Sequence, residues 1–83
     1  MLKDLIEIKK LQKDLSNIWK AAEETKYLCN NSDFRLKFRY AEDNVLRLFE
    51  KINSSDFGLR LGSAKYEVEY LKEYFKYDPE TTG

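Results

Sequence analysis

Four tyrosines near the C-terminus, Tyr66, Tyr70, Tyr74 and Tyr77, recur in steps of four, four and three. On a helix that turns about 100° per residue they form one phenolic face, opposite a Val68–Leu71–Phe75 stripe. A phenol brings a large apolar ring with a polar tip, and aromatic residues concentrate where proteins dock. The chemistry expected of such a face is recognition of a protein partner or of a second copy, with Tyr70 and Tyr74 as anchors. Tyrosines that merely cover neighbouring chain, with their hydroxyls in water, would show the same spacing. Leu36 and Tyr40 lie off the apolar stripe of their own segment and can extend the face.

A second constellation is Arg35, Lys37 and Arg39, interleaved with Leu36, Phe38 and Tyr40. Alternating bases and aromatics can hold a nucleotide or single-stranded nucleic acid, by phosphate contact and stacking. The chain carries 15 basic and 15 acidic residues, so no global field draws it to phosphate. This reading therefore ranks second, and a solvated charged helix face is the commoner source of such a pattern.

Other chemistry is scarce. The sequence contains no histidine, which removes imidazole acid–base catalysis, Ser-His and Cys-His nucleophiles and the usual zinc sites. Its one cysteine, Cys29, cannot form an internal disulfide and falls on an apolar stripe, where a thiol acts as a small hydrophobe. The acid pairs Glu67/Glu69 and Glu42/Asp43 have no cleft to work in within so small a bundle, and Glu23–Glu24 lacks calcium-loop spacing. No enzyme, cofactor or metal is expected. Nor is there an apolar run that would serve as a secretory leader or membrane span, so a cytoplasmic protein is expected.

The elements that would position these residues are helices. Ile8, Leu11, Leu15, Ile18, Ala22, Thr25 and Cys29 alternate steps of three and four over a helix read as 3–30, widened by Leu5 and Trp19. Asn30-Asn31-Ser32-Asp33 breaks it, with asparagine suited to left-handed geometry and Ser or Asp to the next cap. Phe34, Phe38, Ala41, Val45, Leu48 and Ile52 then define a second helix over roughly 33–53, with Phe49 beside them. After Asn53-Ser54-Ser55-Asp56 the reading forks. Phe57, Leu61, Ala64, Val68, Leu71 and Phe75 describe a third helix reaching Tyr77. Leu59-Arg60-Leu61 and Tyr66 to Tyr70 instead alternate around Gly62-Ser63, as a β-hairpin would. An irregular stretch to Gly62 with a short helix from Ser63 is the compromise.

Three helices with four-residue links close as an antiparallel three-helix bundle, a single domain over 1–77, followed by a polar, frayed tail over 78–83. In length, capped helices and an AT-rich type of composition, the chain is similar to small helical proteins of phages and low-GC bacteria, inhibitors and bacteriocin-immunity bundles among them. That likeness covers no diagnostic residue, so no role is carried over by position. The function expected is a small non-enzymatic interaction protein, an inhibitor or adaptor.

Overall fold

The first helix, α1, runs from Leu2 to Thr25 and stops short of the expected residue 30. Lys26 adopts the left-handed conformation, with φ of 56°, so the stop falls on a lysine and not on an asparagine. Side chains stabilise the turn around it. Thr25 Oγ1 donates to the Ala22 carbonyl at 2.9 Å and accepts the Leu28 N–H at 3.2 Å, while Asn30 Nδ2 donates to the Lys26 carbonyl at 2.9 Å. The asparagine thus acts through its amide. Because the helix ends early, Leu28 fills the core position expected for Cys29, whose half-buried thiol points back to the Lys26 carbonyl.

The second helix, α2, spans Ser32–Leu48. Asn31 is its cap, accepting the Phe34 N–H at 2.9 Å, and Asp33 in the first turn suits the positive end of the helix dipole. It ends before the expected residue 53, and turns occupy 49–56, from which Ile52 still packs on the core. The links, 26–31 and 49–56, are accordingly longer than four residues.

The third segment settles the fork. It forms α3, Phe57–Glu73, closed by a 3-10 turn over Tyr74–Tyr77, and neither the hairpin nor the irregular stretch to Gly62 occurs. Burial decides this. Helix places Phe57, Ala64, Val68 and Leu71 in one seam, whereas period-two pairing would divide them between faces. Each large apolar side chain so buried contributes about 1.5–3 kcal/mol, against about 1 kcal/mol lost at each of Gly58 and Gly62.

The computed structural model describes the backbone of residues 2–77 and side chains through Phe75; the expected tail, 78–83, lies outside the described residues. Every pair of helices is in contact, giving the expected antiparallel three-helix bundle, about 47 Å long and under 20 Å across. α2 packs more intimately on α3 than α1 does on either. The core follows the stripes read from the spacing, except that Leu28 replaces Cys29 and Thr25 is only half-buried; Phe38, Leu61 and Phe75 are half-buried at its margin. One end of the bundle is aromatic: Phe34 lies 6.4 Å from Trp19, 6.2 Å from Phe38, and edge-on to Tyr74 at 5.3 Å and Phe75 at 6.2 Å. Lys65 of α3 ties back to Glu7 of α1 at 2.7 Å, which lowers the Glu7 pKa through that hydrogen bond and charge. No helix among the described residues is long and apolar enough to cross a membrane.

Candidate docking surface

A four-residue step advances a helix by about 400°, so each successive tyrosine turns about 40° further round α3. The consequence is a spiral and not a straight stripe. Tyr66 points outward and is 70% exposed, Tyr70 is 42% exposed, and Tyr74 has rotated into the seam with α2, where it is half-buried. The rings stay in sequence, 6.4 Å and then 6.1 Å apart.

One expected anchor, Tyr74, is half-buried against α2. Tyr74 lies edge-on to Phe34, and its hydroxyl donates to the Asp33 carboxylate across the α2–α3 seam. Burial, reinforced by that hydrogen bond, pushes its pKa above the usual 10.0. Tyr74 therefore serves the fold. The side chain of Tyr77, also expected on this face, lies outside the described residues.

Lys37 belongs to the same seam. Its Nζ sits 4.8 Å from the Tyr70 ring centre and 5.9 Å from that of Tyr74, and 3.6 Å from Asp33. The Tyr74 hydroxyl beside it, with the Asp33 carboxylate, raises its pKa above 10.5. Two turns further along α2, Asn44 Nδ2 donates to both oxygens of Glu67, at 2.6 and 2.9 Å. Between these two ties a shallow hollow opens, lined by Lys37, Tyr40, Tyr66, Glu67 and Tyr70. Two groups expected from separate helices, Tyr40 and the Tyr66/Tyr70 pair, therefore meet. Leu36 is exposed one turn before Tyr40 but lines neither this hollow nor its neighbour.

That neighbour contains what the spacing argument missed. Asn44, Gly58, Leu59, Gly62, Ser63, Tyr66 and Glu67 line a second, flatter depression, and Leu59 stands 79% exposed beside it. Leu59 precedes Tyr66 by seven residues, two helical turns, and that interval is the signal that could have joined it to the tyrosines. Its apparent alternation with Leu61 hid the relation. A β-carbon added to Gly58 or Gly62 would meet nothing within 4 Å, so neither glycine is required by packing inside the chain.

The basic constellation divides. Arg35 and Arg39, one turn apart, open onto the α1–α2 groove of about 610 Å³, with Lys20, Trp19 and Phe38 and with Glu23 and Glu42. Lys37 lies on the opposite side of α2, against the tyrosines. The structure thus joins two of the three expected phosphate ligands and separates the third, along with Tyr40. Among the described residues, no group of three or more Asp, Glu or Cys side chains is placed to hold a metal ion. No protein family, curated protein or solved structure matches this chain.

Proposed function

We propose that this protein works by docking, without catalysis, through the outer α2–α3 face, in a cytoplasmic setting. The observation that carries the reading is a contiguous surface of exposed apolar side chains, Leu59, Tyr66, Tyr70 and Tyr40, on a chain whose core is already closed. Scattered apolar residues are ordinary on a protein surface; a grouped set bordered by polar side chains marks an interaction site. Lys37 and the Asn44–Glu67 pair brace this surface from α2, so the rings of Tyr66 and Tyr70 are presented on rigid helices. Such aromatics lose little side-chain freedom on binding, which makes them efficient anchors. Occlusion of a partner's surface, as an inhibitor or adaptor acts, is the mechanism this geometry serves.

Photocrosslinking in the native cells tests the reading. A benzophenone side chain placed at position 66 or 40 is expected to form discrete adducts, and one at Lys13 or Glu24, on the outer side of α1, is not. Tyr66→Ser/Tyr70→Ser in the same chain should remove the adduct formed at position 40 while shifting folding stability by less than about 1 kcal/mol. Equal labelling from both faces, or none from positions 66 and 40, would sink the proposal.

Phosphate recognition is the second reading, supported by the α1–α2 groove, where Arg35, Arg39 and Lys20 stand beside Trp19 and Phe38. Glu23 and Glu42 offset most of that positive charge, which ranks it behind docking. It requires nucleotide binding that weakens steeply with salt, and calorimetry at low ionic strength would show heat of binding.

A further inference from the structure

We infer that the groove between α1 and α2 binds a small amphiphilic monoanion, a free carboxylate or sulfate with an apolar chain. Such a ligand leaves the docking face untouched, and it differs from a nucleotide in carrying one charge and an apolar tail.

The two walls give the groove two unlike halves. Lys20 and Glu23, towards the end of α1, share one half with Arg35 and Arg39, near the start of α2, and Glu42 stands at its border. In the other half Gln12, Leu15 and Ser16 of α1 join Val45 and Leu46 of α2, and no charge lines it. Half-buried Trp19 and Phe38 lie between, their rings 5.1 Å apart and tilted by 45°. That tilt forms a wedge and not a parallel slot, which suits a chain of CH groups better than a flat base.

The charges of the groove are unspent. Among the described residues, none of Lys20, Glu23, Arg35, Arg39 and Glu42 makes a side-chain hydrogen bond or ion pair, although both signs line the same walls. The α2–α3 seam, by contrast, is tied by Asn44 to Glu67 and by Tyr74 to Asp33. Arg35 is the fourth residue of α2, where the helix dipole disfavours a cation, and the fold gives it no compensating partner. Trp19 makes ring contacts to Phe34 and Phe38, but its indole N–H has no acceptor among the described residues and stays accessible. Three cations against two carboxylates leave one positive charge, which one anionic head neutralises. A di- or triphosphate would press its surplus charge on Glu23 and Glu42.

Size fits the same ligand. The groove's volume of about 610 Å³ falls inside the roughly 300–1,000 Å³ of small-molecule sites. From Arg39 to Leu46 it follows α2 for about 10 Å, the reach of a medium-length chain. Leu46 remains 50% exposed, so the grip on that chain is partial and the expected Kd is about 0.1–1 mM.

Trp19 is the sole tryptophan, so its fluorescence reads the groove directly. Titration with octanoate or octyl sulfate, below their micelle concentrations, should shift Trp19 emission saturably. Octanol and octylammonium should bind at least about tenfold more weakly, lacking the anionic head. Arg35→Gln/Arg39→Gln should weaken octanoate at least about tenfold with helicity unchanged, and Lys9→Gln, outside the groove, should leave it as in the wild type. Leu46→Ser should weaken octanoate about threefold, and it serves in place of the arginine variant if that chain fails to fold. No saturation up to about 10 mM overturns the site. So does an equal response to octanol and octylammonium, or octanoate binding unchanged in the folded variants. ATP binding tighter than octanoate would return the groove to phosphate recognition and overturn the monoanion. A shift on phosphatidylglycerol vesicles but not with octanoate would overturn the free ligand in favour of a lipid surface.

Discussion

The two ends of α3 present the same residue type in opposite situations. At the C-terminal end, Tyr74 meets Phe34, Asp33 and Lys37 and is taken into the seam with α2. At the N-terminal end, Leu59 and Tyr66 stand out from a helix thinned by Gly58 and Gly62. A single geometric cause, the 40° turn per four-residue step, carries the tyrosine series from solvent to the α2–α3 seam. The lesson is that a phenolic repeat has no single role along its length. Each ring takes the role that its angle to the seam permits, and the end the fold leaves exposed is where function is sought.

The largest effect that would sharpen this contrast comes from the absorbed end. Phe34 is wholly buried among Trp19, Phe38, Tyr74 and Phe75, so Phe34→Ala is expected to cost about 3–5 kcal/mol in urea denaturation. A loss below about 1 kcal/mol would mean the aromatic end is not a tightly packed cluster. At the exposed end the sign reverses. Gly58→Ala with Gly62→Ala should stabilise the chain by about 1–2 kcal/mol in total, because each added methyl meets open space and the helix gains propensity. Destabilisation there would show that the fold uses the glycines, and the contrast between the ends would fail.

The smallest effect concerns the hydroxyl of Tyr74. Tyr74→Phe keeps the ring and removes the bond to Asp33, for an expected loss of about 0.5–1 kcal/mol at neutral pH, limited by solvent exposure. Its pH dependence has a definite sign. The folded-state pKa of Tyr74 is raised above 10.0, so its stabilising contribution is full below that value and is lost as pH rises through the folded pKa. Lys37, raised above 10.5, behaves likewise on the alkaline side. Melting temperature should accordingly fall as pH climbs through about 10–11, and less steeply in Tyr74→Phe than in the wild type. Parallel curves for the two proteins would remove Tyr74 from the alkaline transition.

How much of this was legible beforehand varies by residue. The buried positions of all three helices follow from three–four spacing, because a stripe that avoids charge has only one way to leave water. The end of α1 was not legible. A left-handed lysine carries no compositional mark, and the stop depends on Thr25 and Asn30 side chains bonding back to the turn. Within the candidate face, the exposure of Tyr66, Tyr70 and Tyr40 follows from their place off the apolar stripes, and the structure leaves all three exposed. The half-burial of Tyr74 is not legible from its spacing alone, because a four-residue step turns each ring about 40° further round the helix. Proximity in sequence groups Lys37 with Arg35 and Arg39, although a two-residue separation puts it across the helix from both.

By itself, then, the order of residues determined the helical class, the three apolar stripes and the want of histidine and disulfide chemistry. These are properties of local period and composition, which need no neighbour to be read. The direction each stripe's flank would face was decided only by tertiary packing. The close association of α2 with α3 holds Tyr74 and Lys37 in the seam and leaves Leu59, Tyr66 and Tyr40 outside. A side chain on the border of a stripe is buried or exposed by how closely the next helix comes, a distance that no residue specifies alone.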